Sequence, residues 1–451
     1  MVKTIETNQF YPYEVIQEEG QKYLYNVITS GIFLMDNLSS DVLENKILEG
    51  TDNEYYEAIE YMKEKFIIRT KDNDTKLNDI YTKIAGTKKE MQPSSLVLMI
   101  SQDCNLRCTY CYGTNGEYSH KGLMDYKTAK SAVDYFVKYA KGDKLNICFF
   151  GGEPLLNFSL IKEIIKYANE VGSKLNKTFT FSMTTNATLI DQMIEEFIIQ
   201  NKIALTISID GDRTIQNSNR YYANKKGSYD EVIKNTERLR KSNHVTARAT
   251  ITPQNLNILY NVDHLIDVGF NRVAWAPALN LLSNDDIEKL AQGQKEVVIK
   301  VGKCIETGDY IRAKKYLTII NMLSKINSDG LRTKGCGAGT NMMAVNIEGS
   351  IYPCHRFVGN EFMGIGNIYI DEPCQNNNFY TKVSLKEFEK CSSCIGRNIC
   401  VGGCVNENFE ANHDISIAND KHCNYYREVA REVIKLYIRL GTDEKERLFS
   451  R

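Results

Sequence analysis

Between residues 94 and 280, apolar runs recur roughly every thirty residues: 95–101 (SLVLMIS), 144–150 (KLNICFF), 179–185 (FTFSMTT), 203–209 (IALTISI), 245–251 (VTARATI) and 272–278 (RVAWAPA). Each is short and rich in β-branched or aromatic residues, as expected of a buried strand. Between them lie stretches with apolar residues at helical spacing, at 126–140, 159–172, 190–200, 229–240 and 256–269. Strands alternating with helices predict a parallel sheet of right-handed βαβ units, an open sheet or a partial barrel, with ligands beyond the carboxyl ends of the strands. Residues 281–330 predict a helical connector.

The amino-terminal pattern differs. Segments 13–19, 22–29 and 31–36 predict strands broken at Gly20 and Gly31. Helices are predicted over 39–48 and 53–66, capped by Ser39 or Ser40 and by Asp52 or Asn53, with a closing strand over 66–70. This order suggests a winged-helix-like α+β module over residues 1–85, able to bind a peptide at a sheet edge. The polar run 71–79 (KDNDTKLND) predicts a linker.

Composition narrows the classes. The 451 residues are 42% hydrophobic and 25% charged, with a formal net charge of −1. No apolar run approaches membrane-spanning length, and the first thirty residues lack the layout of a secretory signal, so no membrane partner and a cytoplasmic location are expected. The charge balance favours no nucleic acid. The 53–66 helix is net acidic, which sets a redox-sensing DNA-binding regulator far behind an enzyme.

Thirteen cysteines depart from this ordinary profile. A reducing compartment disfavours disulfides and leaves metal ligation as the main reason to collect thiols. Cys104, Cys108 and Cys111 fall on a loop directly after the first strand of the α/β segment. Thiolates suit iron–sulfur clusters, and three of them leave one iron of a cubane open. Zinc would ask for a fourth ligand near by and would not account for Gly151-Gly152-Glu153-Pro154 one strand later. Seven more cysteines form a second array: Cys336, Cys354, then Cys391, Cys394, Cys400 and Cys404 in the spacing C-x2-C-x5-C-x3-C, and Cys423. Cys148 and Cys304 suit packing in a strand and a helix.

The C-x3-C-x-aromatic-C loop resembles the signature of the radical S-adenosylmethionine (SAM) superfamily. That resemblance implies a partial (β/α)6 barrel over 94–280, with Cys104, Cys108 and Cys111 holding the cluster that cleaves SAM. It implies that Gly151 and Gly152 admit close backbone approach and that Glu153 receives the SAM ammonium. Tyr110 would pack near adenine, and Thr185, Asn186, Ser208, Asp210 and Arg220 would supply ribose and carboxylate contacts. One departure stands out: Gln216-Asn217 replaces the His-Asp pair of many relatives.

The second array resembles the SPASM domain of radical SAM peptide maturases, here over 331–451. The resemblance implies two auxiliary 4Fe–4S clusters, one on Cys391, Cys394, Cys400 and Cys423, the other on Cys336, Cys354 and Cys404. The second set is one ligand short. Either Cys374 fills the vacancy or a substrate thiolate does; the alternative for Cys374 is a solvent-exposed loop thiol. A peptide-recognition module, a SAM-cleaving barrel and a two-cluster domain in this order resemble thioether-forming maturases of ribosomally made peptides. The implied partners are a cysteine-containing precursor peptide and a low-potential electron donor, flavodoxin or ferredoxin. The implied cofactors are SAM and three 4Fe–4S clusters. Carbon–carbon or carbon–oxygen crosslinking and formylglycine-type sulfatase maturation stay open. No general base stands out, although Asp210 lies near the barrel mouth.

Overall fold

Hydrogen bonding of the six apolar runs builds the centre of the molecule. The computed structural model describes residues 10–44, 53–85, 91–241, 245–328, 331–370, 372–374 and 379–449. Strands are numbered along the chain. The amino-terminal ones are β1 (Tyr13–Glu18), β2 (Gln21–Asn26) and β3 (Ile32–Leu34). The barrel region holds β4 (Ser95–Gln102), β5 (Leu106–Cys108), β6 (Gly122–Leu123), β7 (Lys144–Gly151), β8 (Thr178–Thr185), β9 (Ala204–Ser208), β10 (Arg220–Tyr222), β11 (Val245–Ile251) and β12 (Val273–Pro277). The cysteine-rich end adds β13 (Met342–Val345), β14 (Ser350–Tyr352) and β15 (Gly366–Asn367).

Strands β4, β7, β8, β9, β11 and β12 pair in parallel in that order, as the alternating pattern predicts. Helices Tyr126–Tyr139, Phe158–Leu175, Gln192–Gln200 and Ile258–Asp267 connect them. Aspartates begin several helices: Asp125 accepts from Thr128 N at 2.6 Å and Asp191 from Ile194 N at 2.8 Å. Strand β4 is buried on both faces, as a central parallel strand must be. The sheet does not end with the barrel. Strand β13 joins β4 in parallel, and β14 and β15 continue it antiparallel, so the cysteine-rich end is welded to the barrel by main-chain bonds.

The amino-terminal strands form an antiparallel sheet, β1-β2-β3. Three local expectations need correction. The first helix, Asn37–Leu43, is capped by Asp36, whose carboxylate accepts from Ser39 N at 2.7 Å, and not by Ser39 or Ser40. The closing strand reduces to one bridge, Phe10 to Ile68, because Ile67 N and Ile68 N both bond back to Met62 O after a left-handed turn at Phe66. The expected linker is the start of a helix, Lys71–Ala85. Its polar first turn hides Leu77 and Tyr81, one turn apart, which pack with Tyr11 and Ile28. Asp52 lies outside the described residues.

The module sits on the long helix Asp420–Arg439. Glu14 and Glu18, both on β1, meet Arg431 and Arg439 at 3.1 and 2.7 Å. Asn398 donates to the carbonyls of Val27 and Ile28 at 3.1 and 2.9 Å. One face of β1 thus packs on this helix, and β3 is the outer strand at the other end of the sheet. Among the described residues no helix is long and apolar enough to cross a membrane. The replacement Leu77→Ala should cost ~2–3 kcal/mol and strip hydrogen-exchange protection from 71–85; a segment exchanging freely in the parent protein would restore the linker.

Candidate functional site

Two glycines hold the mouth of the barrel together. Gly151 has φ +135°, and a Cβ there would lie 2.0 Å from Ser101 O; one on Gly152 would lie 2.2 Å from Asp103 O. Only glycine permits that approach. Gly152 N then donates to Ser101 O at 2.7 Å and Glu153 N to Asp103 O at 2.8 Å, stitching the end of β7 to the start of the cysteine loop. Strand β5, within that loop, pairs antiparallel with β10, placing Cys108 opposite Arg220.

Glu153 is fully buried. Its carboxylate accepts from Thr185 Oγ1 at 2.7 Å, Asn186 N at 2.8 Å and Leu155 N at 3.0 Å. Burial outweighs these bonds and raises its pKa to about 7. Asn186 also donates to Asn105 Oδ1 at 2.9 Å and reaches Cys104 Sγ at 3.9 Å. Thus Thr185 and Asn186 do meet Glu153 and the first cysteine.

Asp210, also without solvent access, accepts from Tyr110 Oη at 2.5 Å, Thr250 N at 2.9 Å and Arg220 Nε at 3.2 Å. The Arg220 guanidinium lies 5.0 Å over the Tyr110 ring, and its Nη1 is 3.9 Å from Cys108 Sγ. Gln216 accepts from Asp210 N at 2.9 Å and donates to Ser228 Oγ at 3.0 Å; Asn217 accepts from Tyr229 N at 3.0 Å. The Gln-Asn departure is thereby absorbed in fixing this turn. Ser208 ends β9 in register with Arg248 on β11. Burial pushes Cys104 up to about 12 and Cys108 up to about 11. Thiols this buried stay protonated until a metal replaces the proton.

The later cysteines gather in two places. Cys391, Cys394, Cys400 and Cys423 line one cavity of about 370 Å³, counted to its open mouth, together with His422, Tyr426, Arg397 and Arg427. Cys336 and Cys404 both lie near Cys354: burial first, then these two thiols, raise Cys354 to about 12. Among the described residues no three His, Cys, Asp or Glu side chains converge tightly enough to hold a single metal ion. A donor set of soft sulfurs ringing a cavity instead fits a polynuclear cluster.

Cys374 is buried, not solvent-exposed, and its Sγ lies 3.2 Å from Tyr135 Oη. It packs in the large core with Tyr135 and Ile351, whereas Cys354 packs in a second cluster with Tyr352 and Phe357. Cys304 is buried in helix Asn284–Glu306, and Cys148 is half-buried on β7.

Several neighbours of the thiols escaped sequence reasoning because they are distant in the chain. His422 Nε2 is 3.2 Å from Cys400 Sγ. Arg356 Nη1 is 3.5 Å from Cys404 Sγ, and its guanidinium lies 5.1 Å over Tyr112. Only their closeness in sequence to a cysteine signalled them: His422 precedes Cys423, Tyr112 follows Cys111 and Arg356 is two residues past Cys354.

Residues 98–266 match the model of the radical SAM superfamily. An uncharacterised protein of Methanocaldococcus jannaschii is 38% identical over 183 residues, 40% of this chain and 61% of that relative. The cysteine-type anaerobic sulfatase-maturating enzyme of Clostridium novyi is 25% identical over 74% of this chain and 93% of its own. The radical SAM cyclopropyl synthase TigE of Paramaledivibacter caminithermalis is 24% identical over 76% and 74%. Among solved structures, anSMEcpe with bound AdoMet superposes with a TM-score of 0.64 at 22% identity, covering 77% of this chain and 98% of that one. Streptococcus suis SuiB superposes with 0.51 at 18%, covering 91% and 98%.

Glu153 ionises near 4.5 in the unfolded chain and at about 7 in the fold. Between those values the fold holds a proton that the unfolded chain has lost, so its contribution to stability falls as the pH rises through that window. Unfolding free energies of the metal-free protein, measured from pH 4.5 to 7, should show wild type losing ground to Glu153→Gln. A difference independent of pH would show that the carboxyl titrates normally.

Proposed function

We propose, from the match of residues 98–266 to the radical SAM superfamily, that this protein is a peptide maturase joining a cysteine sulfur of a ribosomally made precursor to a carbon of the same peptide. One observation carries the reading: a three-thiol group short of one sulfur stands next to the barrel-mouth cysteine loop, joined to it by Arg356 over Tyr112. SAM and three 4Fe–4S clusters are the cofactors. Cys104, Cys108 and Cys111 would hold the first cluster; Cys391, Cys394, Cys400 and Cys423 the second; Cys336, Cys354 and Cys404 the third. Reduced by one electron, the first cluster with its SAM supplies a 5′-deoxyadenosyl radical that removes a hydrogen atom from carbon.

The chain's own residues bind and orient. Gly151 and Gly152 close the mouth against the main chain of Ser101 and Asp103, and Glu153, steadied by Thr185 and Asn186, would receive the SAM ammonium. Ser208 and Arg220 would supply carboxylate and ribose contacts, with Tyr110 near adenine. Asp210 is committed to Tyr110, Arg220 and Thr250, which suits it to positioning and not to taking a proton. Cys374, bonded to Tyr135 in the large core, leaves the vacant sulfur position to a substrate thiolate. The leader of the precursor docks as an added strand on β3, an outer strand of the amino-terminal sheet. Leu34, 59% exposed at that edge, offers it an apolar contact.

The reaction removes two hydrogens per crosslink. One leaves carbon as an atom and ends in 5′-deoxyadenosine; the other leaves sulfur as a proton, and the surplus electron needs an acceptor, which a cluster held by the later thiols would supply. Flavodoxin or ferredoxin supplies the electron that begins each turnover.

The likeness to a sulfatase-maturating enzyme across three quarters of the chain favours a second reading, oxidation of a substrate cysteine to formylglycine. A DNA-binding role is disfavoured by Glu54, Glu57, Glu60 and Glu64 along helix Asn53–Glu64. Anaerobic incubation with a cysteine-containing precursor peptide should lower its mass by two hydrogens per crosslink and protect the crosslinked cysteine from alkylation. A product that instead reacts with hydrazides is formylglycine, and a modified cysteine-free peptide removes the thioether reading. Leu34→Asp should weaken precursor binding by about tenfold, read by fluorescence anisotropy; unchanged affinity would remove β3 as the docking edge.

A further inference from the structure

Alternation along β11 sends Ala247, Ala249 and Ile251 into the large core and leaves Thr246, Arg248 and Thr250 on the opposite face, inside the barrel. Arg248 pairs in register with Ser208 on β9 and with Ala274 on β12, and Ala276 pairs with Thr250 two residues further along. Small side chains on both sides leave room around a long one. The guanidinium is half-buried there, level with Ser208 at the end of β9.

The groups whose fields act on Arg248 are Glu407, Arg356, Arg220 and Tyr425. Each of its neighbours already has a partner. Arg220 meets Asp210 at 3.2 Å and reaches Cys108; Arg356 meets Glu407 at 2.7 Å and reaches Cys404; Tyr425 meets His422. Glu410, the next acid near Arg356, lies at the exposed surface. Among the described residues the Arg248 side chain has no hydrogen bond and no ion pair, and it reaches neither sulfur. A cation withdrawn from bulk water without a partner is costly, and two neighbouring guanidiniums add repulsion. The inside of the barrel is one negative charge short.

On the reading that a peptide is modified between the cysteine loop and the three-thiol group, we infer that Arg248 binds a carboxylate of that peptide and so selects which residue faces the radical. A carboxylate supplies the missing charge, and a planar guanidinium can take both of its oxygens. The surroundings favour the peptide over SAM. Arg220, beside Cys108, serves the SAM carboxylate on that reading. Arg248 also feels Arg356, at the three-thiol group, so it stands where both ends of a sulfur–carbon bond must meet. The substrate class that follows is a cysteine-containing peptide with an acidic side chain, or its own carboxyl terminus, beside the attacked carbon.

The test uses the reconstituted full chain with SAM and a cysteine-containing precursor peptide that it modifies. Beside the parent peptide stand versions with each Asp or Glu of the modified segment replaced by Asn or Gln, and one amidated at its carboxyl terminus. One of these changes should lower kcat/KM by at least about thirtyfold, the loss expected when one member of an enclosed charge pair is removed. A side-chain replacement with that effect identifies an acidic residue as the partner, and amidation identifies the carboxyl terminus. Arg248→Gln should lose as much with the parent peptide and little more with the neutral one. Losses that multiply, or a peptide that tolerates every change, overturn the inference. So does an Arg248→Gln whose Kd for SAM, titrated without peptide, rises as much as its kcat/KM falls, for the guanidinium then holds the SAM carboxylate. Should Arg248→Gln fail to fold, Arg248→Lys keeps the charge but not the planar pair of donors. Its preference for the parent over the neutral peptide should be weaker than that of wild type, and an equal preference overturns the inference. The comparison is read on whichever product forms, so a formylglycine product fails the thioether reading alone.

Discussion

A carboxylate cut off from water must be surrounded by donors, and at Asp210 those donors come from three parts of the chain. Tyr110 belongs to the cysteine loop, Arg220 to β10 and Thr250 to β11. An ionised group buried without partners is prohibitively costly, so the pairing constrains all three at once. With Asp210 satisfied, Cys108 lies opposite Arg220 and the loop has one place to sit. The glycines at 151 and 152 close the same loop from the other side. The barrel mouth is thus rigid before any cofactor arrives, as a site that must aim a short-lived radical requires.

Main-chain continuity carries that rigidity outward. Strand β13 extends the barrel sheet from β4, so Cys354, just past β14, is held in register with the strand that leads into Cys104. Helix Asp420–Arg439 supports Cys423 and, through Arg431 and Arg439, the amino-terminal sheet. One scaffold therefore fixes the distances between the amino-terminal sheet, the barrel mouth and the two later thiol groups.

Much of this was legible in the sequence, for physical reasons. The six barrel strands are buried on one or both faces and so read as apolar runs, and the grouping of the later cysteines came from their resemblance to the SPASM pattern. What stayed hidden was local polarity or long range. Helix 71–85 presents a polar first turn, and only Leu77 and Tyr81 betray its buried side. Strands β13 to β15 are too short to show alternation. Gln216 replaces a residue of different chemistry yet serves the backbone of Asp210. The donors Arg356 and His422 reach Cys404 and Cys400 across the fold, a relation that no spacing rule records.

The account depends on three separate clusters in one chain, each built from the thiols that the fold brings together. Iron and acid-labile sulfide in the anaerobically reconstituted protein test this most directly. The account predicts about 12 irons per chain, matched by sulfide and free of zinc. About four irons, or stoichiometric zinc on the later cysteines, would contradict it.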